Sequence, residues 1–367
     1  MSWRMMAGML GCLACVAQDA DPVSPEGTWL AADLHVHSSV GSNDTDGQGV
    51  PNVLAERMEA AGLDVVFVTD HSNAMGSMGC DDVEDCPNQG PETPPGPWPA
   101  GVFPASEISP RAVGLDPRGH VGCLPLAGEL TTDRFIDRPM GDVSGADAVD
   151  QCHAANGFAI VNHPFGFGWL SYDFTSDAYD AMEVFNGTNR FDVFDVLAVE
   201  AWQQRVADGA SVVPVGGSDC HRWFTPFPGG GADPALGYPT THVFVAPSET
   251  ILDGLRAGRV IVADPETSLS LTAETPESVA LPGDSVAGPA TLSATASTTA
   301  GDRVLQLIDV NGEVLAEVDV QGEVTVSAEV DEGAVYARVW PDSDVAEEAG
   351  VAIANVIRVR ASTTTPD

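Results

Sequence analysis

The chain has 367 residues, room for two or three domains at roughly 150 residues each. With 44% hydrophobic and 19% charged residues it can bury a sizeable core, which excludes a wholly disordered chain. Acids number 54 against 15 bases, all of them arginine, and the resulting charge of −39 is spread along the chain. A field of that sign repels phosphate backbones and argues against a nucleic-acid partner.

Arg4, an apolar run over residues 5–16 and a polar stretch to Glu26 predict a secretory signal and linker over residues 1–26. Cys12 and Cys15 each resemble the lipid-modified cysteine of a bacterial lipoprotein signal, with an ordinary cleaved signal as the alternative. The expected location is periplasmic or cell-surface, with a lipid anchor as one form. No later apolar stretch reaches the ~20 residues that a membrane-spanning helix needs.

From residue 27 to 264, short apolar runs alternate with helical patterns, the pattern of a parallel α/β fold. Strands are expected over 29–36, 64–69, 102–108, 119–126, 157–162, 181–185, 211–216, 241–246 and 260–263. Helices are expected over 52–61, 145–155, 191–207 and 249–257. Residues 76–101, rich in Pro, Gly and acids, interrupt the pattern as a long loop. From 265 to 367 helical periodicity disappears and apolar and polar residues alternate. Six or seven short strands, with a hairpin signal at Asn311-Gly312, predict a small all-β sandwich domain.

Beyond the signal there are five cysteines, an odd number, so at least one stays unpaired within the chain. Cys80 and Cys86 flank a short acidic stretch and predict a small disulfide-closed loop in an oxidising compartment.

Six of the eight histidines fall at the ends of predicted strands. His35 and His37 lie two apart in Asp33-Leu-His-Val-His37, so they face the same side of a strand. His71 follows Thr69-Asp70, His120 follows Gly119, His163 stands in Asn162-His-Pro164, and Asp219 and His221 close Gly216-Gly-Ser-Asp-Cys-His221. Glu107 ends the third strand. On the C-terminal face of a barrel of parallel strands such groups converge. Imidazoles with carboxylates suit Zn²⁺, Mn²⁺ or Fe²⁺, and this number of groups exceeds the four ligands of one tetrahedral zinc. Two or three divalent ions are therefore expected, a kind of cluster that generates hydroxide from water near neutral pH. His153, within a helix, and His242, inside a strand, fit no such pattern.

This series, continued by Glu183-Val-Phe-Asn-Gly187, resembles the PHP (polymerase and histidinol phosphatase) superfamily in order and spacing over about 235 residues. With the export signal and trailing sandwich it looks most like the CehA/McbA-type metallohydrolases. The resemblance implies a distorted (β/α)7 barrel over residues 27–264. It implies a first metal held by His35, His37, Glu107 and Asp219, and a second bridged by Glu107 to His120 and His163. A third would sit on His71 and His221 with an acid from the loop after the first strand. That loop, Ser42-Asn-Asp-Thr-Asp-Gly47, is longer than the family's, and Asp46 is favoured over Asp44. Glu129 is the rival to Glu107. Glu183 and Asn186 are expected to brace the ligands. Asp70 is expected to orient His71 or act as a base, and Asp219 or Asp70 to relay a proton. Cys220 should point away from the metals, and Arg190 and Arg222 are candidates for an anionic group.

The implied activity is that of an exported metal-dependent hydrolase acting on a small-molecule phosphoester or an amide or carbamate ester. The competing expectation is a surface binding protein with a degenerate or structural metal site. A nuclease or proofreading role is disfavoured by the charge and the signal.

Overall fold

A computed structural model describes residues 24–42, 45–71, 98–108, 119–125, 144–166, 171–187, 191–222, 235–341 and 349–362. The signal region, Cys80, Cys86, Asp44, Glu129 and Arg190 lie outside these residues.

The first half alternates strands and helices as its periodicity predicts. In order they are β1 (Thr28–Val36), α1 (Pro51–Ala60), β2 (Val65–Val68), β3 (Val102–Pro104), β4 (Ser106–Ile108), β5 (His120–Pro125), α2 (Gly145–Ala154) and β6 (Gly157–Asn162). Then come β7 (Ala181–Asn186), α3 (Val193–Ala207), β8 (Val213–Gly217), β9 (Thr240–Val245), α4 (Ile251–Arg256) and β10 (Val260–Ala263). Local chemistry sets the boundaries. Helix α1 opens with Pro51 in its first turn, where a missing N–H costs nothing. Ser144, Asp192 and Thr250 cap α2, α3 and α4, each in a reciprocal capping box with an aspartate three residues on. Val65 to Val68 are all buried, as a β-branched run covered on both faces requires.

These strands form two open sheets; the ladders do not close into a (β/α)7 barrel. One sheet runs β4-β5-β6-β7-β8, and the other contains β10-β9-β1-β2-β3. Pairing is mixed. β5 is antiparallel to both β4 and β6, while β6, β7 and β8 are mutually parallel. β1 is parallel to β2 but antiparallel to β9. Two isolated bridges, Val36 with Cys220 and His71 with Glu107, join the sheets at one end.

The described residues beyond 264 form ten strands where six or seven were expected: β11 (Thr267–Glu274), β12 (Val279–Ala280), β13 (Ser285–Ala287), β14 (Ala290–Thr298), β15 (Arg303–Asp309), β16 (Val314–Asp319), β17 (Val324–Val330), β18 (Gly333–Pro341), β19 (Ala352–Ala354) and β20 (Ile357–Arg360). The extra ones are two to four residues long, too short for alternation to reveal. The sheet β12-β11-β14-β17 packs Leu271, Leu292 and Ala294 against Leu305, Leu307 and Val339 of the facing layer. That facing layer is not separate: β19 pairs antiparallel with β10, so one sheet of eleven strands runs from β3 into the C-terminal region. Ile261 and Ala263 of β10 belong to the same apolar cluster as the sandwich.

A disulfide joins Cys123 on β5 to Cys152 on α2, with Cα atoms 5.6 Å apart. Cys220 is a buried thiol whose Sγ lies 3.6 Å from the Arg222 carbonyl.

Candidate metal centre

The site forms where strand ends meet. The backbone of residues 219–221 runs alongside that of residues 35–37: the Asp219 N–H donates to the His35 carbonyl (2.8 Å) and the His37 N–H to the Cys220 carbonyl (3.0 Å). Alternation along both segments puts Val36 and Cys220 into an apolar cluster with Leu54, Val66 and Val68. His35, His37, Asp219 and His221 face the opposite way, into a shared centre. Gly217 permits the approach, because a Cβ there would overlap the Cβ of His35. His71 follows β2, Glu107 lies in β4 and His163 follows β6. His120 begins β5, and because β5 is antiparallel to its neighbours its start lies beside their ends, paired with Asn162. Asp219 (φ 52°) and His163 (φ 27°) hold left-handed backbone that non-glycine residues seldom adopt. The His163 N–H donates to Glu183 Oε2 (2.7 Å), which anchors that turn.

Glu107, fully buried, is the hub. Its Oε1 lies 3.1 Å from His35 Nε2, 3.1 Å from His120 Nδ1 and 3.4 Å from His163 Nε2; its Oε2 lies 2.7 Å from His71 Nδ1. Asp219 Oδ1 lies 3.3 Å from His35 Nε2, 3.2 Å from His37 Nε2 and 3.3 Å from His221 Nδ1. Two imidazole pairs face each other directly, His35 with His37 (Nε2 to Nε2, 3.1 Å) and His71 with His221 (Nε2 to Nε2, 3.3 Å).

Four overlapping groups among the described residues could each hold a metal ion, with ligand atoms within 4.8 Å of one another. They are His35, His37 and Asp219; His37, His71 and His221; His35, Glu107 and His163; and His71, Glu107 and His120. The donor set fits a cation. His35 Nδ1 faces Glu183 Oε1 at 3.0 Å, so that nitrogen donates, and with a cation bound Nε2 would present a lone pair. That lone pair meets the carboxylates of Glu107 and Asp219 and a second imidazole nitrogen, an assembly of acceptors that a positive charge at the centre satisfies.

The electrostatics follow. Burial opposes charge on His35, yet the carboxylates of Asp219, Glu183 and Glu107 hold it well above the usual imidazole range. Burial, then the neighbouring His221 and His71, pushes His37 well below that range. Burial, helped by His163 and His71, brings His120 down to about 4 against the pull of Glu107. Burial would raise Glu107 and Asp219, but the surrounding histidines hold both far below ordinary carboxyl groups.

Of the expected ligands, all but Asp46 fall in these groups. Asp46 instead accepts the Gln48 N–H on Oδ1 (3.0 Å), while its own N–H donates to the His221 carbonyl. Asp70 is buried, and its carboxylate faces the 38–42 loop, accepting from the Ser38 N–H (2.6 Å), the Ser38 hydroxyl (2.6 Å) and the Ser42 hydroxyl (2.9 Å). Glu183 holds His35 and Asn186, and Asn186 Nδ2 also reaches Asp219 Oδ2 (3.3 Å). His153 pairs with Asp180 on a half-exposed face, and His242 sits in β9; neither joins a ligand group. Arg222 lines a cleft of about 800 Å³ together with Arg57, Cys220 and His242.

Sequence reasoning assigned no role to Asp33 or Asn162, although both stand inside motifs it used. Asp33 is buried and accepts N–H groups from His35, Ser218 and Gly237, tying β1 to the end of β8. Burial pushes its carboxyl up to about 6 in spite of these donors. Asn162 donates to Glu107 Oε1 (2.9 Å). A buried polar residue one or two places from a ligand is the signal that marks both.

No protein-family model matches the chain, and no curated protein matches it by sequence.

Proposed function

We propose that the chain is an exported metal-dependent hydrolase of the PHP type, with two or three divalent ions held by His35, His37, His71, Glu107, His120, His163, Asp219 and His221. The observation that carries the reading is the meeting of six imidazoles and two carboxylates from six strand ends around one centre. Four overlapping triads that share His35, His37, His71 and Glu107 favour a cluster over a single ion. Zn²⁺, Mn²⁺ and Fe²⁺ all suit this donor set. The Val36–Cys220 and His71–Glu107 bridges hold the two open sheets together around the centre. The buried Cys123–Cys152 disulfide supports an oxidising compartment and so the export signal.

When bound, the ions activate water and polarise the attacked oxygen. The chain supplies the rest. Glu107 holds ligand nitrogens on both carboxylate oxygens and so fixes the spacing of the cluster. His163, Asp219 and His221, with side chains 14–18% exposed, form the open side where a substrate enters. Of Asp219 and Asp70, Asp219 stands on the open side and is the candidate to relay the released proton, while Asn186 Nδ2, donating to Oδ2 (3.3 Å), orients its carboxylate. The substrate is a phosphoester or an amide or carbamate ester.

Elemental analysis of protein purified without chelator is expected to give two or three equivalents of Zn, Mn or Fe per chain. Activity on phosphoester and amide model substrates should follow the metal content. His35→Ala is expected to lose both metal and activity. Less than half an equivalent, with no uptake on titration, would instead favour a binding protein on a barrel without a working centre.

A further inference from the structure

We propose that the cleft between α1, the sheet face of β1, β9 and β10, and β11 binds a small amphipathic anion, an apolar body carrying one carboxylate or phosphate group. This site stands apart from the metal centre and does not depend on the activity proposed above.

The cleft follows from the pairing of three strands. Ala31 on β1 stands opposite His242 on β9, and His242 stands opposite Ile261 on β10, so the three side chains form one row on one face of the sheet. Two residues along their strands, Trp29 and Ala263 lie on that same face. All of these line the cleft, whose other walls include the last turn of α1 and residues 267–270 of β11. The space is about 800 Å³, within the range of small-molecule pockets. It lies where the two halves of the chain meet, a common place for such pockets.

Two observations define the ligand. The first is an apolar floor with one polar handle. His242, in the middle of the row, has no hydrogen-bond partner for its ring nitrogens among the described residues. Trp29 remains 37% exposed, its ring held edge-on by Phe244 with centroids 5.5 Å apart, which leaves a large apolar surface for a ligand to cover. The second observation is charge. In a chain of 54 acids and 15 bases, the described lining residues include two arginines, Arg57 and Arg222, and one acid, Asp264. That acid is already satisfied: Oδ1 accepts the Glu266 N–H (2.9 Å), and Oδ2 accepts the N–H groups of Gly350 and Val351. At physiological salt, charges beyond about 8 Å are largely screened, so the arginines rather than the net charge set the sign inside the cleft. Guanidinium groups suit carboxylate and phosphate, which they grip through paired N–H donors.

The cleft is not the mouth of the metal centre. Cys220 lines it, while Asp219 and His221 on either side belong to the ligand groups. The two sites therefore use opposite faces of one segment.

The test is calorimetric titration of the full chain with octanoate, octyl phosphate, octan-1-ol and octylammonium. Each anion is expected to bind once per chain with Kd below about 1 mM. The alcohol should bind at least about tenfold more weakly, and the cation not at all. Arg57→Gln combined with Arg222→Gln should weaken the anions by roughly 10- to 100-fold and leave the alcohol unchanged. Octanoate carrying a diazirine, photolysed on the unmodified protein and located by fragmentation mass spectrometry, should label Trp29, His242, Leu269 or their neighbours in the cleft. No saturable binding, equal affinity for alcohol and anion, or binding of the cation as tightly as the anions would each overturn the proposal. So would label on the metal ligands, or loss of anion binding on adding chelator, since either places the anion on the metals. Unchanged anion binding in a chain that takes up no metal would sink the proposed function and leave this site standing.

Discussion

Gly217 shows how closely the centre depends on single residues. The end of β8 passes so near β1 that any side chain there meets His35 and comes within 3.1 Å of Glu183 Oε1. Gly217→Ala should therefore displace the strand carrying Asp219 from the strand carrying His35. A loss of about 1–3 kcal/mol is expected, as for other overpacked sites. Urea unfolding measures it, and reduced metal uptake should accompany it. Protons compete with metal for imidazole nitrogens, so uptake should also fall steeply as the pH drops below about 6. Equilibrium dialysis across pH 5–8 would show it, and flat uptake would point to a site held by carboxylates alone. At this scale the ligands were legible in the sequence because the H-x-H and D-x-H spacings place side chains on one face without any knowledge of the fold. Asp33 and Asn162 were not, because the role of a buried aspartate or asparagine depends on which group stands opposite, and spacing does not encode that.

At the scale of elements, β5 carries a lesson about direction. A parallel barrel gathers C-terminal strand ends at its site, yet His120 opens its expected strand, which leaves its place among them unexplained. It reaches the centre for a different reason: β5 runs antiparallel, so its first residue lies beside the last residues of its neighbours. Element positions were readable from periodicity and caps, while pairing direction was not, since a short apolar run looks the same either way. The Cys123–Cys152 bond was equally invisible, because the two residues are 29 apart and meet only once α2 packs against β5. That bond pins the strand that begins with His120. Replacing both cysteines with serine should cost about 3.6 kcal/mol by loop entropy. Chemical denaturation with and without reductant would register it; identical midpoints would mean that the packing of α2 alone holds β5.

For the whole molecule, the change of pattern at residue 264 marks a change of architecture but not a break in the hydrogen-bonded lattice. β10 pairs with β9 on one side and with β19 on the other. Ile353 and Tyr336 from beyond the boundary sit in the same buried cluster as Trp202 and Val215. The full chain is therefore expected to unfold in one calorimetric transition, and a chain ending at residue 264 to be insoluble or partly unfolded. Two well-separated transitions would show that the halves are independent despite the shared sheet.

The shared sheet also makes the molecule a mechanical unit. Tension on β19 passes sideways through β10 and β9 to β1, three ladders of hydrogen bonds loaded in shear, and β1 is the strand that carries His35 and His37. Anything that grips the sandwich would pull on the same fabric that holds the histidines, with no slack tether between them to absorb the strain.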